Sequence, residues 1–164
     1  MMRSRPVPFC LVALVFLGLL ATARPVHAAE VTAFVARASP GTNWGTGYGG
    51  TFSTTWFHVV ALEAEVARQP GASLETSMTS FTASALLAPP LGKVIPYGGL
   101  GAGVYRQVVG TATDTGTLKA LVLGAKVKLG VFFVLKAEYR RFSLSTSAPL
   151  AMNHRISAAA GISF

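Results

Sequence analysis

The stretch His154-Arg155-Ile156-Ser157-Ala158-Ala159-Ala160-Gly161-Ile162-Ser163-Phe164 decides the fold. In an extended chain successive side chains point to opposite faces. Ile156, Ala158, Ala160, Ile162 and Phe164 therefore share one face. Arg155, Ser157, Ala159, Gly161 and Ser163 share the other. One face is apolar, and the other is small, hydroxylic or charged.

The same split recurs upstream. Phe133, Leu135, Ala137 and Tyr139 oppose Lys136, Glu138 and Arg140. Leu121, Leu123, Ala125 and Val127 oppose Gly124, Lys126 and Lys128, and Val60, Leu62, Ala64 and Val66 oppose Glu63 and Glu65. Phe81, Ala83, Ala85 and Leu87 oppose Ser80, Thr82 and Ser84, while Leu100, Ala102 and Val104 oppose Tyr97, Gly99, Gly101, Gly103 and Tyr105. Alternation with turn signals between segments predicts eight strands, at 30–39, 46–57, 59–69, 77–88, 94–108, 118–129, 131–143 and 154–164. The breakers are Pro40-Gly41, Phe57-His58, Pro70-Gly71, Pro89-Pro90 with Gly92, Thr111 to Thr117, Gly130, and Ser145 to Asn153. The first two strands alternate less cleanly, because Phe34 falls on the polar face.

A soluble sheet could alternate in this way with its apolar face inward. No helical pattern is present to cover such a sheet, and an even strand count suits a closed membrane barrel. The connections after strands two, four and six are short, and those after one, three, five and seven run to six to nine residues. Short turns at one end and longer loops at the other predict both termini on the periplasmic side.

The first 28 residues differ from the rest. Arg3 and Arg5 precede an unbroken apolar run of 13 residues, Phe9 to Ala21, and Val26-His27-Ala28 supplies a small-residue cleavage site. That pattern predicts a cleaved signal peptide over 1–28, since the run is too short for a spanning helix. Cleavage would remove Cys10, the only cysteine, together with Arg3, Arg5 and Arg24. The 14 Lys and Arg would fall to 11 against six acidic residues, so a net charge of +8 becomes +5 over residues 29–164. A basic exported chain points to anionic lipid headgroups as partner, and away from nucleic acid.

Taken with the leader, the eight alternating segments, the Gly-rich Pro96 to Tyr105 and the closing Gly161-Ile162-Ser163-Phe164 make the chain resemble the small eight-stranded outer-membrane β-barrels of the OmpA transmembrane-domain, OmpX and opacity-protein type. The resemblance covers all of 29–164. It implies an all-β, antiparallel, up-and-down transmembrane barrel in the bacterial outer membrane. It further implies that Phe164 is the aromatic presented to the barrel-assembly machinery, and that the barrel acts as a monomer. No peptidoglycan-binding domain follows the barrel segments, so cell-wall anchoring is not implied.

Two groups of side chains are candidate functional sites. Glu63, Glu65, Lys126, Lys128, Lys136, Glu138, Arg140 and Arg155 fall on the lumen face, with two more cations than anions. An eight-stranded barrel is only wide enough for side chains to fill it, and buried charge must pair. Strand three lies opposite strand seven, so Glu63 and Glu65 are expected to reach Lys136 and Arg140 and plug the lumen. The three glycines of strand five are read as leaving room for bulky lumen neighbours.

Outward parity ends at Arg37, Arg68, Arg106 and Arg141, with Lys119 and His154 opening their strands. These form a cationic rim suited to the phosphates of lipopolysaccharide. Trp56, Phe133 and Phe164 would form the aromatic belt at the periplasmic end.

Catalysis is not expected. His58 and His154 lie in no ligand cluster, so no metal or other cofactor is expected. His154 with Ser157 matches no nucleophile motif and has no acidic residue after it. A structural or surface-interaction barrel is the first reading. A lipid A-modifying barrel enzyme is the alternative, and a soluble apolar-lined barrel of the lipocalin kind comes third.

Overall fold

In a computed structural model, residues 29–38, 45–56, 59–71, 75–145 and 152–164 are described. The expected leader, the Phe57-His58 corner and most of the first and last long connections lie outside them. The described residues form eight strands: β1 (Ala29–Ala38), β2 (Thr46–Trp56), β3 (Val60–Pro70), β4 (Thr76–Leu87), β5 (Val94–Val109), β6 (Ala112–Leu129), β7 (Phe133–Leu144) and β8 (His154–Ser163). Each pairs antiparallel with the next, and β8 pairs with β1 to close the barrel. Main-chain bonds in both directions between Ala29 and Phe164, of 2.8 and 2.9 Å, finish the seam.

Closure fixes the slant of the strands. Starting at Ala125 on β6, the row of paired residues runs through Ala137, Ala158, Val35, Tyr48, Arg68, Thr79 and Arg106. It returns to β6 at Thr115, ten residues from where it began. With ~3.3 Å per residue and about 4.8 Å between strands, that stagger tilts the strands by roughly 40°. Each residue then climbs ~2.5 Å along the barrel axis, and each step to the next strand along a paired row climbs about 3 Å.

Four sequence expectations need correction. Thr111 to Thr117 are not a loop. Gly110, at φ +59°, and Thr111 make a two-residue turn, and β6 starts at Ala112. Thr111 to Thr117 looked like a breaker because Ala112 is its only apolar residue, yet threonine favours the pleated sheet. Strand seven starts at Phe133 because Gly130, at φ +70°, opens a three-residue turn with Val131 and Phe132.

Phe34 is the third revision: β1 alternates without a break. Glu30, Thr32, Phe34, Ala36 and Ala38 are buried in the lumen, and Val31, Val35 and Arg37 are exposed outside. Phe34 lies against Gly49, its direct cross-strand partner. Tyr97 lies against Gly124, and Tyr105 against Gly116, in the same relation. At each of these glycines the nearest atoms to an added Cβ include the partner's ring. The glycines of β5 serve a different purpose from the one expected. A Cβ at Gly99 or Gly103 would strike the β4 backbone, at Ala85 or Phe81, so these glycines allow close strand approach.

Gly124→Ala should push Tyr97 off its seat, since the new Cβ would overlap its Cζ and its hydroxyl. The expected loss is ~1–3 kcal/mol, read from urea unfolding in lipid vesicles. Gly50→Ala, whose Cβ meets only the Thr32 carbonyl at 3.4 Å, should change stability by less than about 0.5 kcal/mol. Equal effects would remove the special role of the paired rings.

Candidate functional site: lumen charges and the outer rim

The inward faces of β1, β3, β6, β7 and β8 bring four carboxylates and four cations together, all buried: Glu30, Glu63, Glu65 and Glu138 with Lys126, Lys136, Arg140 and Arg155. Isolated charges at such depth would carry a cost of several kcal/mol each, which pairing offsets only with good geometry. Lys126 bonds both oxygens of Glu30 at 2.7 and 2.8 Å. Lys136 reaches Glu63 at 2.5 Å, and Arg140 pairs with the other Glu63 oxygen. Arg140 also meets Glu138 at 2.5 Å and Glu65 at 3.3 Å, and Arg155 holds both oxygens of Glu65 at 2.7 and 2.6 Å.

Tyr97 donates to Glu138 at 3.0 Å, and its ring lies 5.3 Å from the Lys136 ammonium. Arg155 is flanked by the rings of Phe34 and Phe142, at 4.8 and 5.3 Å. Arg140 Nη1, Arg155 Nε and the hydroxyls of Thr82 and Ser84 find no partner among the described residues, and a buried water would satisfy each.

Sequence reasoning missed Glu30. It shares parity with Thr32 and Phe34 in β1, and the large apolar Phe34 made that face look irregular. With Glu30 included, the two-cation excess disappears from the buried set. Lys128 points toward the lumen but sits at its mouth, with its side chain 39 % exposed and Nζ 3.8 Å from Glu30. Above the charged band, toward the β5–β6 turn, the lumen turns apolar with Met78, Tyr105, Leu118, Phe142 and Met152. The lower part of the band borders a small open pocket lined by Glu30, Ser53, Glu63, Tyr97, Lys126 and Lys136 among others.

Outside, Arg37, Arg68, Arg106, Lys119 and Arg141 are all exposed. The paired rows place Arg37, Arg68, Lys119, Arg141 and His154 within about 3 Å of one height, and Arg106 ~7 Å higher. Arg106 therefore stands above the rim instead of in it. His154 stacks on Tyr139, with centroids 6.2 Å apart. Trp56, Phe133 and Phe164 are exposed at the other end, within about 2 Å of one height. The two bands are about 22 Å apart, close to the apolar height of outer-membrane barrels. Exposed Val31, Leu62, Leu100, Leu123, Leu135 and Ile162 fill the zone between them.

His154 and Ser157 lie on opposite faces of β8, one outward and one buried in the lumen. Among the described residues no group of three or more His, Cys, Asp or Glu could hold a metal ion. No helix among them is long and apolar enough to cross a membrane, which says nothing of crossing by strands.

The double variant Glu63→Gln/Glu65→Gln should leave Lys136, Arg140 and Arg155 short of partners inside the barrel. Stability should fall by about 3–5 kcal/mol in urea unfolding. An unchanged midpoint would show that these carboxylates are solvated.

Residues 11–164 match the family model described as outer membrane protein beta-barrel domain. No curated protein matches the sequence. Among solved structures, the N-terminal barrel of Pseudomonas aeruginosa OprF is 17 % identical at a TM-score of 0.59, covering 86 % of this chain and all of that one. Neisserial surface protein A is also 17 % identical at 0.59, covering 83 % and 93 %. Ail, the attachment invasion locus protein of Yersinia pestis, is 16 % identical at 0.51, covering 84 % and 95 %. These likenesses show a shared fold, and the family places the barrel in the bacterial outer membrane. The chain belongs to the outer membrane protein beta-barrel domain family.

Proposed function

We propose that this barrel has a structural or surface-interaction role in the outer membrane, with a lumen closed by its own side chains and a rim that engages lipopolysaccharide phosphates. The observation that carries the reading is the band of paired charges from opposite walls, topped by the apolar Met78, Leu118, Phe142 and Met152. A hydrated ion passing through would have to break several of these pairs and part the apolar layer. The barrel is therefore neither a pore nor an enzyme in this reading. No arrangement among the described residues favours the lipid A-modifying alternative.

The rim supports the second half of the proposal. Charge on the lipid face costs ~2–4 kcal/mol at the midplane and about 0–1 near the interface, so cations gathered at one height mark a boundary. Guanidinium groups suit phosphate oxygens there. Phe164, exposed beside the β1–β8 seam, is the residue proposed to be read by the barrel-assembly machinery.

Purified protein in planar bilayers should give no stable conductance steps, and regular open-channel events would overturn the closed lumen. Arg37→Ala/Arg68→Ala/Arg141→Ala should fold yet bind lipopolysaccharide at least tenfold more weakly, about 1.4 kcal/mol. Equal affinity would reduce the rim to side chains snorkelling at strand ends. Deleting Phe164 should lower the amount of heat-modifiable barrel in membranes without blocking export. Normal levels would remove its role in assembly.

A further inference from the structure

The outward face of β6 changes character at one residue. Leu121, Leu123, Ala125, Val127 and Leu129 lie on the side of the aromatic belt, and Leu121, Leu123 and Leu129 are exposed.

 Leu129 is 48 % exposed and Val127 is half-buried. From Lys119 toward the β5–β6 turn the same face reads Thr117, Thr115 and Thr113, all exposed. Lys119 stands in the cationic rim, so the switch from aliphatic to hydroxylic side chains falls at the height where the rim marks the membrane boundary.

The strand does not stop there. Successive outward residues on one strand are ~6.6 Å apart, which the tilt turns into about 5 Å of height, so the three threonines rise to ~15 Å above Lys119. Arg106 is the cross-strand partner of Thr115 on one side and of Thr79 on the other, and both neighbours are exposed. The face is held firmly from behind. Tyr105, its side chain on the inner side of the sheet, donates to Asp114 at 3.0 Å and shares a 3.0 Å bond with Ser145.

We infer that this raised face, Thr113, Thr115 and Thr117 with Arg106, is a binding surface for the phosphorylated oligosaccharide of the lipopolysaccharide that surrounds the barrel. The inference rests on the rim reading for its depth in the membrane. The side chains point sideways from the barrel, continuous with the lipid face below, and so toward the sugars of neighbouring lipids instead of away from the cell. Threonine offers a hydroxyl for sugar hydroxyls and a methyl for the apolar C–H edge of a sugar ring. Arg106, ~7 Å above the rim, stands closest to the level of sugar-borne phosphate.

The probe is core oligosaccharide cleaved from its lipid, with its phosphates retained, titrated against the detergent-solubilised barrel and followed by amide NMR shifts. Wild-type protein should bind, with the largest shifts in the upper halves of β5 and β6. Thr113→Val/Thr115→Val/Thr117→Val keeps the β-branched shape and should fold, as heat-modifiability will report, yet bind about tenfold more weakly. Arg37→Ala/Arg141→Ala should keep oligosaccharide affinity while losing affinity for intact lipopolysaccharide. Failure of the wild type to bind, or equal binding by the valine variant, overturns the inference. Unchanged binding of intact lipopolysaccharide by the arginine variant overturns the rim reading alone.

Discussion

A closed ladder of eight strands allows only one parity for each side chain, and everything else in the molecule follows from that constraint. The stagger of ten residues sets the tilt, and the tilt converts sequence position into height. A slip of one residue in any strand would turn its whole apolar set into the lumen and its charges toward lipid. The mutual cost of those exchanges holds the register. Arg37, Arg68, Lys119 and Arg141 come from four strands with unrelated local sequences, yet the ladder brings them to one level.

The lumen solves a second problem within the same geometry. Eight strands enclose a space that side chains can fill, and the chain fills its middle with four acids and four bases. Oil-like side chains there would make a conventional core, but they would also give inward and outward faces the same character. Buried pairs such as Glu63 with Arg140 keep the two faces distinct. The cost of leaving any of these groups unpaired is high, so they define which way each strand faces even where their net contribution to stability is small.

Much of this was legible in the sequence because period two is written wherever one face meets lipid. The strands β3 to β8 show it, and the pairing of β3 with β7 across the lumen follows from strand number alone. The upper part of β6 was not legible. Thr111 to Thr117 carries no apolar alternation because its outward face is threonine and its inward face holds Asp114 and Gly116, so a strand looked like a loop. Phe34 was misleading for a different reason: a large apolar side chain on the polar face made β1 look irregular, whereas Gly49 across the strand gives it a seat inside. Leaving that face of β1 unused omitted Glu30 and gave the lumen an apparent excess of positive charge. The heights of the rim residues depend on inter-strand register, which no single segment encodes.

The central claim is that the membrane boundary crosses β6 at Lys119. Nitroxide labels attached one at a time at outward positions from Thr113 to Val127, in bilayers, would test it through collision rates with oxygen and with a polar nickel complex. The account predicts high oxygen and low nickel accessibility from Leu121 to Val127, reversing at Thr117 and staying reversed at Thr115 and Thr113. A reversal below Leu123, or no reversal along the strand, would contradict it.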